Sequence, residues 1–560
     1  MTDRIRRGLS RISVPQLTLF CAMLAAFTLV MVFPLFSLFR QAFLDNQGDF
    51  VGVSNYRSYF ASPAFWSSLR NTVNISLTTT LISVPLGFLY AYGLTRTRIR
   101  CKTFFRYTAL LPIFMPTVVH ALGLIYLFGR QGVLTRLGFE IELYGRLGII
   151  ISEVIYTFPQ AFLMFFVALE YADGRLYEAA DSMGVKPFTK LRQITLPEVK
   201  YTLINAMFVC FTLAFTDFGA PRVVGGNFNV LATDIYMQVV GQFNMSMGAV
   251  VGTVLLVPAL LAFIVGRVMN NLNMGTMSAK SSKLVIKPHV GRDAFFFGLC
   301  SFITFCFFVL IGALAMGAFT AFYPFDMTLT LDNFRFNTAT GGIGSFYNSL
   351  MMSFLTATIG TVFVFAYAYM TEKTDSFGFG FLKRIAKFLS ILPLALPGMV
   401  IGLAYIFFFN SPQNPLHFIY GTVAILVMAN ILHFFSVPFL TATGALKKLD
   451  REFENVADSM SVPRWKLFFR VTVPLSLPAI LEIFMYYFVS SMVTISALVF
   501  LHSPRFRVAA IAITHMEEAG DLAGAAAMSL LILLINVAVR LLYELIVRLI
   551  KHRAKRREAV

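Results

Sequence analysis

The sequence predicts an all-α polytopic membrane protein of about twelve transmembrane helices in two parallel halves. Three observations carry that expectation. Of 560 residues, 57% are hydrophobic and only 13% are charged, with a mean hydropathy of +0.73, whereas a soluble chain carries about a quarter charged residues. Apolar runs long enough to cross a bilayer as helices recur throughout, and the ten-residue alternation of β-barrel strands is absent. Finally, a single constant offset in numbering, from Asn71 to Asn348 and onward, relates the two halves of the chain.

Spans are expected near 15–39, 70–94, 104–128, 147–170, 203–221, 247–266, 294–320, 348–371, 388–409, 421–446, 479–501 and 522–547. With the N-terminus inside, the cytoplasmic segments hold 35 of the 46 Lys and Arg, the opposite side holds 10, and Arg540 lies within the last span. That bias predicts both termini in the cytoplasm. It also accounts for the net charge of +18 as topology, so no nucleic-acid partner is expected. Arg4, Arg6, Arg7 and Arg11 precede an apolar run too long for a signal-peptide core, which reads as an uncleaved first span in a bacterial inner membrane. Four of the five cysteines fall within spans and Cys101 on the cytoplasmic side. Neither a disulfide framework nor a metal site is expected.

The elements follow in order. Tyr56, Tyr59, Phe60, Phe65 and Trp66 suit an interfacial helix before span two. Span three carries Leu111-Pro112 and Pro116, whose kinks need a neighbouring helix or a cavity to satisfy the freed backbone. Span five leads to Asp217, Gly219, Pro221 and Arg222. Residues 271–293 read as a polar cytoplasmic linker, with Ser278, Ser281 and Ser282, and 551–560 as a basic tail.

Then the pattern returns. Asn71 is matched by Asn348, Tyr90-Ala91-Tyr92 by Tyr367-Ala368-Tyr369, Thr97 by Thr374, Asp181-Ser182-Met183 by Asp458-Ser459-Met460 and Pro197 by Pro474, all at the same offset. Leu111-Pro112 and Pro116 recur as Leu392-Pro393 and Pro397, displaced by a short insertion that the next loop takes back. A repeat with the same sidedness is related by an axis along the membrane normal. The expected domains are 1–270 and 294–550.

Between spans four and five, residues 171–202 are polar and basic. Leu176 to Met183 can form two helical turns that Gly184 ends, Pro187 suits the first turn of a second helix, and Pro197 is expected to stop it. Phe188, Leu191 and Ile194 would give that helix an apolar face. Glu178-Ala179-Ala180, Gly184, Ile194 and Leu196-Pro197 have the spacing of the EAA coupling loop, and on these residues the chain resembles the permeases of binding-protein-dependent ABC importers with the type I fold. Residues 447–478 carry a weaker copy: Asn455 stands where Glu178 does, with Glu454 one place early, then Ala457, Ser461 in place of the glycine, and Pro474. The resemblance implies two copies of a cytoplasmic ATPase docked on the two loops and a periplasmic solute-binding protein outside. No G-x-x-x-x-G-K-[ST] occurs in the chain, so ATP and Mg belong to the partner, no cofactor is expected here, and no catalytic residue is assigned.

Candidate path residues are Asp217, Arg222, Pro116, Pro397, Ser490 and Thr494, because interrupted helices at matching positions of two repeats point to a translocation path. Asp217 is open to two readings, a local ion pair with Arg222 or a path residue. Glu482 is the other carboxylate in or near a span, read as snorkelling or pairing with Arg470. His120 and His433 read as core histidines. Phe218-Gly219-Ala220-Pro221 with Gly225-Gly226, and Leu396 to Tyr405 with Phe407 to Asn410, resemble the ferric-ion and 2-aminoethylphosphonate branch, with the aminoethylphosphonate side the nearer. A ferric-ion permease is the alternative, and an ion-coupled secondary transporter of twelve spans is the runner-up from another class.

Overall fold

The computed structural model describes residues 14–274, 286, 288–373, 380–450 and 452–558. The N-terminal arginine cluster, the three serines expected in the linker, Thr374 and the last two residues of the basic tail lie outside them. Among the described residues the chain is helical apart from connections and one hairpin, β1 (Thr320–Phe322) with β2 (Asp326–Leu329), antiparallel with Thr320 opposite Leu329. Among the described residues, eight helices are long and apolar enough to cross a membrane, and four bent pairs raise that number to twelve.

The main helices are α1 (Val14–Ala42), α2 (Pro63–Arg96), α3 (Thr117–Phe128), α4 (Arg146–Glu170), α5 (Gly174–Ser182), α6 (Lys200–Thr216), α7 (Met245–Met274) and α8 (Val290–Phe319). The second set is α9 (Gly342–Lys373), α10 (Gly398–Phe409), α11 (Val423–His433), α12 (Ser436–Lys448), α13 (Glu452–Ser459), α14 (Leu477–Val493) and α15 (Leu522–Glu558).

Several expected spans are broken or shortened, each for a local reason. Span three becomes a helix at Lys102–Thr108, a tight turn at Leu111–Phe114 and then α3, because Pro112 and Pro116 have no N–H to continue the ladder. His120 restores part of the loss, its Nε2 lying 3.2 Å from the Pro112 carbonyl. In the repeat, Pro393 and Pro397 bend the Gly380–Ala395 segment by 111° from α10. Spans five and eleven are shorter than expected. α6 stops at Thr216 and α14 at Val493, where Asp217 and Thr494 turn extended. Beyond these ends lie a buried short helix at Gly219–Val224 in one half and a buried turn from Ile495 to Leu501 in the other.

Compactness does not follow the sequence halves. One unit comprises Ala42–Phe336 with Ala512–Leu530, and the other the chain up to Gln41, Asn337–Ile511 and Leu531 onward. The first helix of each repeat therefore joins the core of the other repeat. In the first unit α8 packs on α2, with Thr304 Oγ1 3.2 Å from the Tyr90 hydroxyl and the Phe296 ring 5.4 Å from Tyr92. In the second, α1 puts Phe27 5.8 Å from Tyr367 and 4.3 Å from Phe435, ring centre to ring centre. Phe27 and Thr304 are equivalent under the repeat offset, as are Tyr90 and Tyr367, so the exchange is reciprocal. Each buried tyrosine also donates to the bent segment beside it, Tyr90 to the Phe105 carbonyl at 2.9 Å and Tyr367 to the Ala386 carbonyl at 3.3 Å.

Candidate functional site: two coupling loops and a buried polar cluster

The first loop and its weaker copy each fold as a helix, a left-handed turn and a second helix. In the first, Asp173 caps α5 by accepting from the Arg175 N–H at 3.1 Å. Gly184 then takes φ +66°, and the Val185 N–H returns to the Ala180 carbonyl at 3.0 Å. The weaker copy keeps that geometry without glycine: Ser461 has φ +53°, and the Val462 N–H returns to Ala457 at 2.8 Å.

Pro197 is not itself the stop that the sequence suggested; the second helix ends just after it, at Glu198. Pro187 opens it, and residues Leu191–Thr195 widen into a π turn in which the Leu196 N–H reaches the Leu191 carbonyl. Pro197 then sits in the first turn of Leu196–Glu198, where its missing N–H leaves no bond unmade. Phe468–Thr472 and Pro474 repeat the arrangement, with the Val473 N–H on Phe468. The widened helix ends at Glu198, and α6 leaves it at an angle of 69°.

Ala180, Ala457 and Leu467 face inward. Glu178, Ala179, Gly184 and Pro197 are exposed, as are Asn455, Ser461 and Pro474. Large apolar side chains share that exposure: Met183 at 73% and Phe188 at 74% in the first loop, Met460 at 70% and Trp465 at 62% in the second. Exposed apolar groups clustered on a polar loop mark a partner surface. Leu191 and Ile194, expected on the same face as Phe188, are half-buried.

Beneath each loop a buried cation closes the long helix before it. Arg96 ends α2 with its guanidinium 4.7 Å over the Tyr177 ring. The Tyr177 hydroxyl donates to Thr195 Oγ1 at 2.9 Å, and Glu198 accepts from the Asp173 N–H at 2.9 Å. Burial holds the Glu198 carboxyl above the usual carboxylate range, against the lowering effect of that N–H and of Arg96. Lys373, the repeat equivalent of Arg96, ends α9 and pairs with Glu454 at 3.1 Å, the two side chains only 7% and 13% exposed. Glu454 is thus the positional counterpart of Tyr177 and not a displaced copy of Glu178.

The other polar cluster lies where α3 begins and α6 ends. Asp217 accepts from Thr117 Oγ1 at 2.9 Å and from the Ala220 N–H at 3.0 Å, so it is not the local partner of Arg222. Facing it is Glu153 of α4, fully buried with neither carboxylate oxygen in a hydrogen bond of ordinary geometry. Glu153 is the residue that sequence reasoning missed, hidden in the run Gly148 to Ile155. The second half carries Asn430 and Thr494 at the equivalent positions, both buried and neither ionisable.

Small residues let these segments meet, and their places are exchanged between the halves. A Cβ on Gly219 would collide with Thr117 Oγ1, whereas in the repeat it is a Cβ on Gly398 that would collide with Ser496 Oγ. Pro116 and Pro397 lead into α3 and α10 beside these contacts. Ser490 lies half-buried one turn before Thr494, its carbonyl accepting from the Thr494 N–H at 3.2 Å. Arg222 is paired with Glu518 and lies 5.3 Å over the Tyr236 ring, so its charge is offset within its own unit. Glu482 is exposed on α14, and its expected pairing with Arg470 is not among the described ion pairs.

Residues 83–272 and 376–552 match the family described as binding-protein-dependent transport system inner membrane component. The chain is 28% identical over 505 residues to the ferric transport system permease protein FbpB of Actinobacillus pleuropneumoniae, covering 87% of this chain and 72% of that protein. It is 28% identical over 506 residues to the putative ferric transport system permease protein FbpB 1 of Haemophilus influenzae, covering 88% and 78%. A solved bacterial ABC transporter involved in alginate import aligns with 49% of this chain and 99% of its own at 18% identity, with a TM-score of 0.41.

Proposed function

Because the chain belongs to the binding-protein-dependent transport system inner membrane components, we propose that its two Glu-Ala-Ala loops seat two copies of a cytoplasmic ABC ATPase. The chain is the permease of an ABC importer, and both permease halves lie on one polypeptide. The observation that carries the docking reading is the repeated loop geometry, with exposed Phe188 and Trp465 above buried anchors on α2 and α9. The loops lie in the cytoplasm with both termini, in a bacterial inner membrane, as the distribution of Lys and Arg supports. A periplasmic binding protein delivers cargo on the other side. ATP draws the two ATPase copies together, and each loop passes that motion through its anchor to a long helix, so that the passage alternates its opening. ATP and Mg are bound by the partner, and no step of hydrolysis is assigned to this chain.

The cargo is ferric ion on this reading. Two relatives bear that name, and the buried carboxyls of Glu153 and Asp217 suit a cation better than an anion. The 2-aminoethylphosphonate reading needs a basic passage, and Arg222 is already neutralised by Glu518.

Two experiments separate the parts. Phe188→Asp with Trp465→Asp should abolish co-purification of the ATPase while leaving the permease folded in the membrane; retained co-purification contradicts docking at the loops. In vesicles with the whole system, radioactive ferric ion should accumulate and 2-aminoethylphosphonate should not. The reverse result overturns the cargo reading and leaves the docking reading intact.

A further inference from the structure

At the end of α2 opposite the first loop, the first turns of α2 and the start of α4 enclose an open groove of about 460 Å³, lined chiefly by Trp66, Arg70, Asn74, Arg146 and Phe228. Its distance from the first loop follows from α2 itself. Arg70 lies near the start of that helix and the loop anchor Arg96 ends it, roughly 40 Å further along the axis. Neither Arg70 nor Arg146 is in an ion pair among the described residues, whereas Arg222 of the same unit is paired with Glu518.

The groove continues into an apolar surface. Trp66, Arg70, Asn74, Leu77 and Leu81 follow one another at helical spacing along one exposed stripe of α2. Leu77 is 49% and Leu81 is 65% exposed, and Leu147 stands exposed beside Arg146. An amphipathic ring and two guanidiniums above exposed leucines match the succession of headgroup and acyl chain in a bilayer.

The internal duplication shows that the fold does not need these side chains. At the equivalent positions of the second half, Trp66 becomes Ile343, Arg70 becomes Tyr347, Asn74 becomes Met351 and Arg146 becomes Val423. Asn71 is kept as Asn348, and it has a structural task in both halves. It donates to the Asn229 carbonyl at 3.0 Å, and Asn348 donates to the Arg507 carbonyl at 3.0 Å. The polar groups around the groove have changed together, and the one that holds a loop has stayed.

We propose that this groove binds one anionic phospholipid, its phosphodiester between Arg70 and Arg146 and an acyl chain along Leu77 and Leu81. The site rests on the membrane-spanning reading and lies in the leaflet away from the first loop. It is asymmetric, since the second half has Tyr347 and Val423 in place of the two arginines and carries Arg505 where Phe228 stands.

The test uses the full permease in detergent, titrated with phosphatidylglycerol or phosphatidylcholine and read by native mass spectrometry, with no ATPase, ATP or cargo present. Failure here is therefore distinct from failure of the transport reading. The wild type should hold one phosphatidylglycerol that Arg70→Gln with Arg146→Gln binds about tenfold more weakly or worse, with phosphatidylcholine binding unchanged. Arg70→Lys with Arg146→Lys should recover most of the affinity and controls for folding. Equal phosphatidylglycerol binding by wild type and the Gln variant overturns the proposal. So does displacement of the lipid by millimolar inorganic phosphate, which would make the groove a simple anion site. A Gln variant with unaltered lipid binding that no longer captures the periplasmic binding protein would assign the groove to that protein instead.

Discussion

Ser461 holds a backbone conformation that Gly184 holds at little cost. Both sit at positive φ in the same exposed turn, and a Cβ on Gly184 would meet nothing within 4 Å. Any penalty there is backbone strain, about 1 kcal/mol for an unbranched L residue. Gly184→Ser should therefore keep ATPase binding, Gly184→Val should weaken it, and Ser461→Gly should leave it intact. ATPase co-purification checks all three, and equal loss with serine and valine at 184 would contradict a conformational origin. Asp234, outside the spans, gives a second prediction. Burial beside Tyr59 and Ser68 raises its carboxyl to about 6 from an ordinary 3.8. The folded state then binds the proton more tightly than the unfolded one, so stability falls as pH rises from 4 through 6. Asp234→Asn should remove that slope, leaving the thermal midpoint near the wild type at pH 4 and above it at pH 7. A slope unchanged by the substitution would place its source elsewhere. Glu153 marks the limit of sequence reading at this scale. One carboxyl inside an apolar run has little weight beside its neighbours, and its partner Asp217 lies beyond the whole coupling loop in the chain. The available signal was its alignment with Asn430, the equivalent polar position of the other half.

At the scale of the element, the two coupling loops use different chemistry for one task. Arg96 on Tyr177 is a cation–π contact, and Lys373 with Glu454 is an ion pair, at equivalent positions. Removing one partner of a buried pair leaves an uncompensated charge, so Lys373→Met or Glu454→Gln should each lower stability by about 3 kcal/mol. Replacing both, with Lys373→Arg and Glu454→Tyr, rebuilds the contact of the first half. That variant should recover stability to within about 1 kcal/mol of the wild type and restore ATPase stimulation. Denaturation midpoints and stimulated hydrolysis measure the two effects, and a double variant no better than the singles would contradict the equivalence. The loops' existence, helices and turn were legible from Glu178 to Pro187, because caps, glycine and proline act locally. The π turn before Pro197 was not, since caps, glycine and proline carry no signal for a single i→i+5 turn. The anchors were hidden as well: Arg96 and Lys373 look like two more basic residues at helix ends until the loops fold over them.

At the scale of the whole molecule, the repeat was plain in the sequence and its packing was not. A constant offset between matching residues reports ancestry, but it does not say which core a first helix joins. The structure gives α1 to the second repeat and α8 to the first, so neither sequence half is a complete packing unit. On the proposed function, energy arrives through the coupling loops rather than through ions crossing the spans. The most direct measurement is uptake of ferric ion by proteoliposomes that contain the permease, its ATPase and its binding protein. Uptake should require ATP inside, stop with Phe188→Asp and Trp465→Asp, and continue when an uncoupler collapses the ion gradients. Uptake that ceases with the uncoupler while ATP remains, or that proceeds without the ATPase, would contradict it.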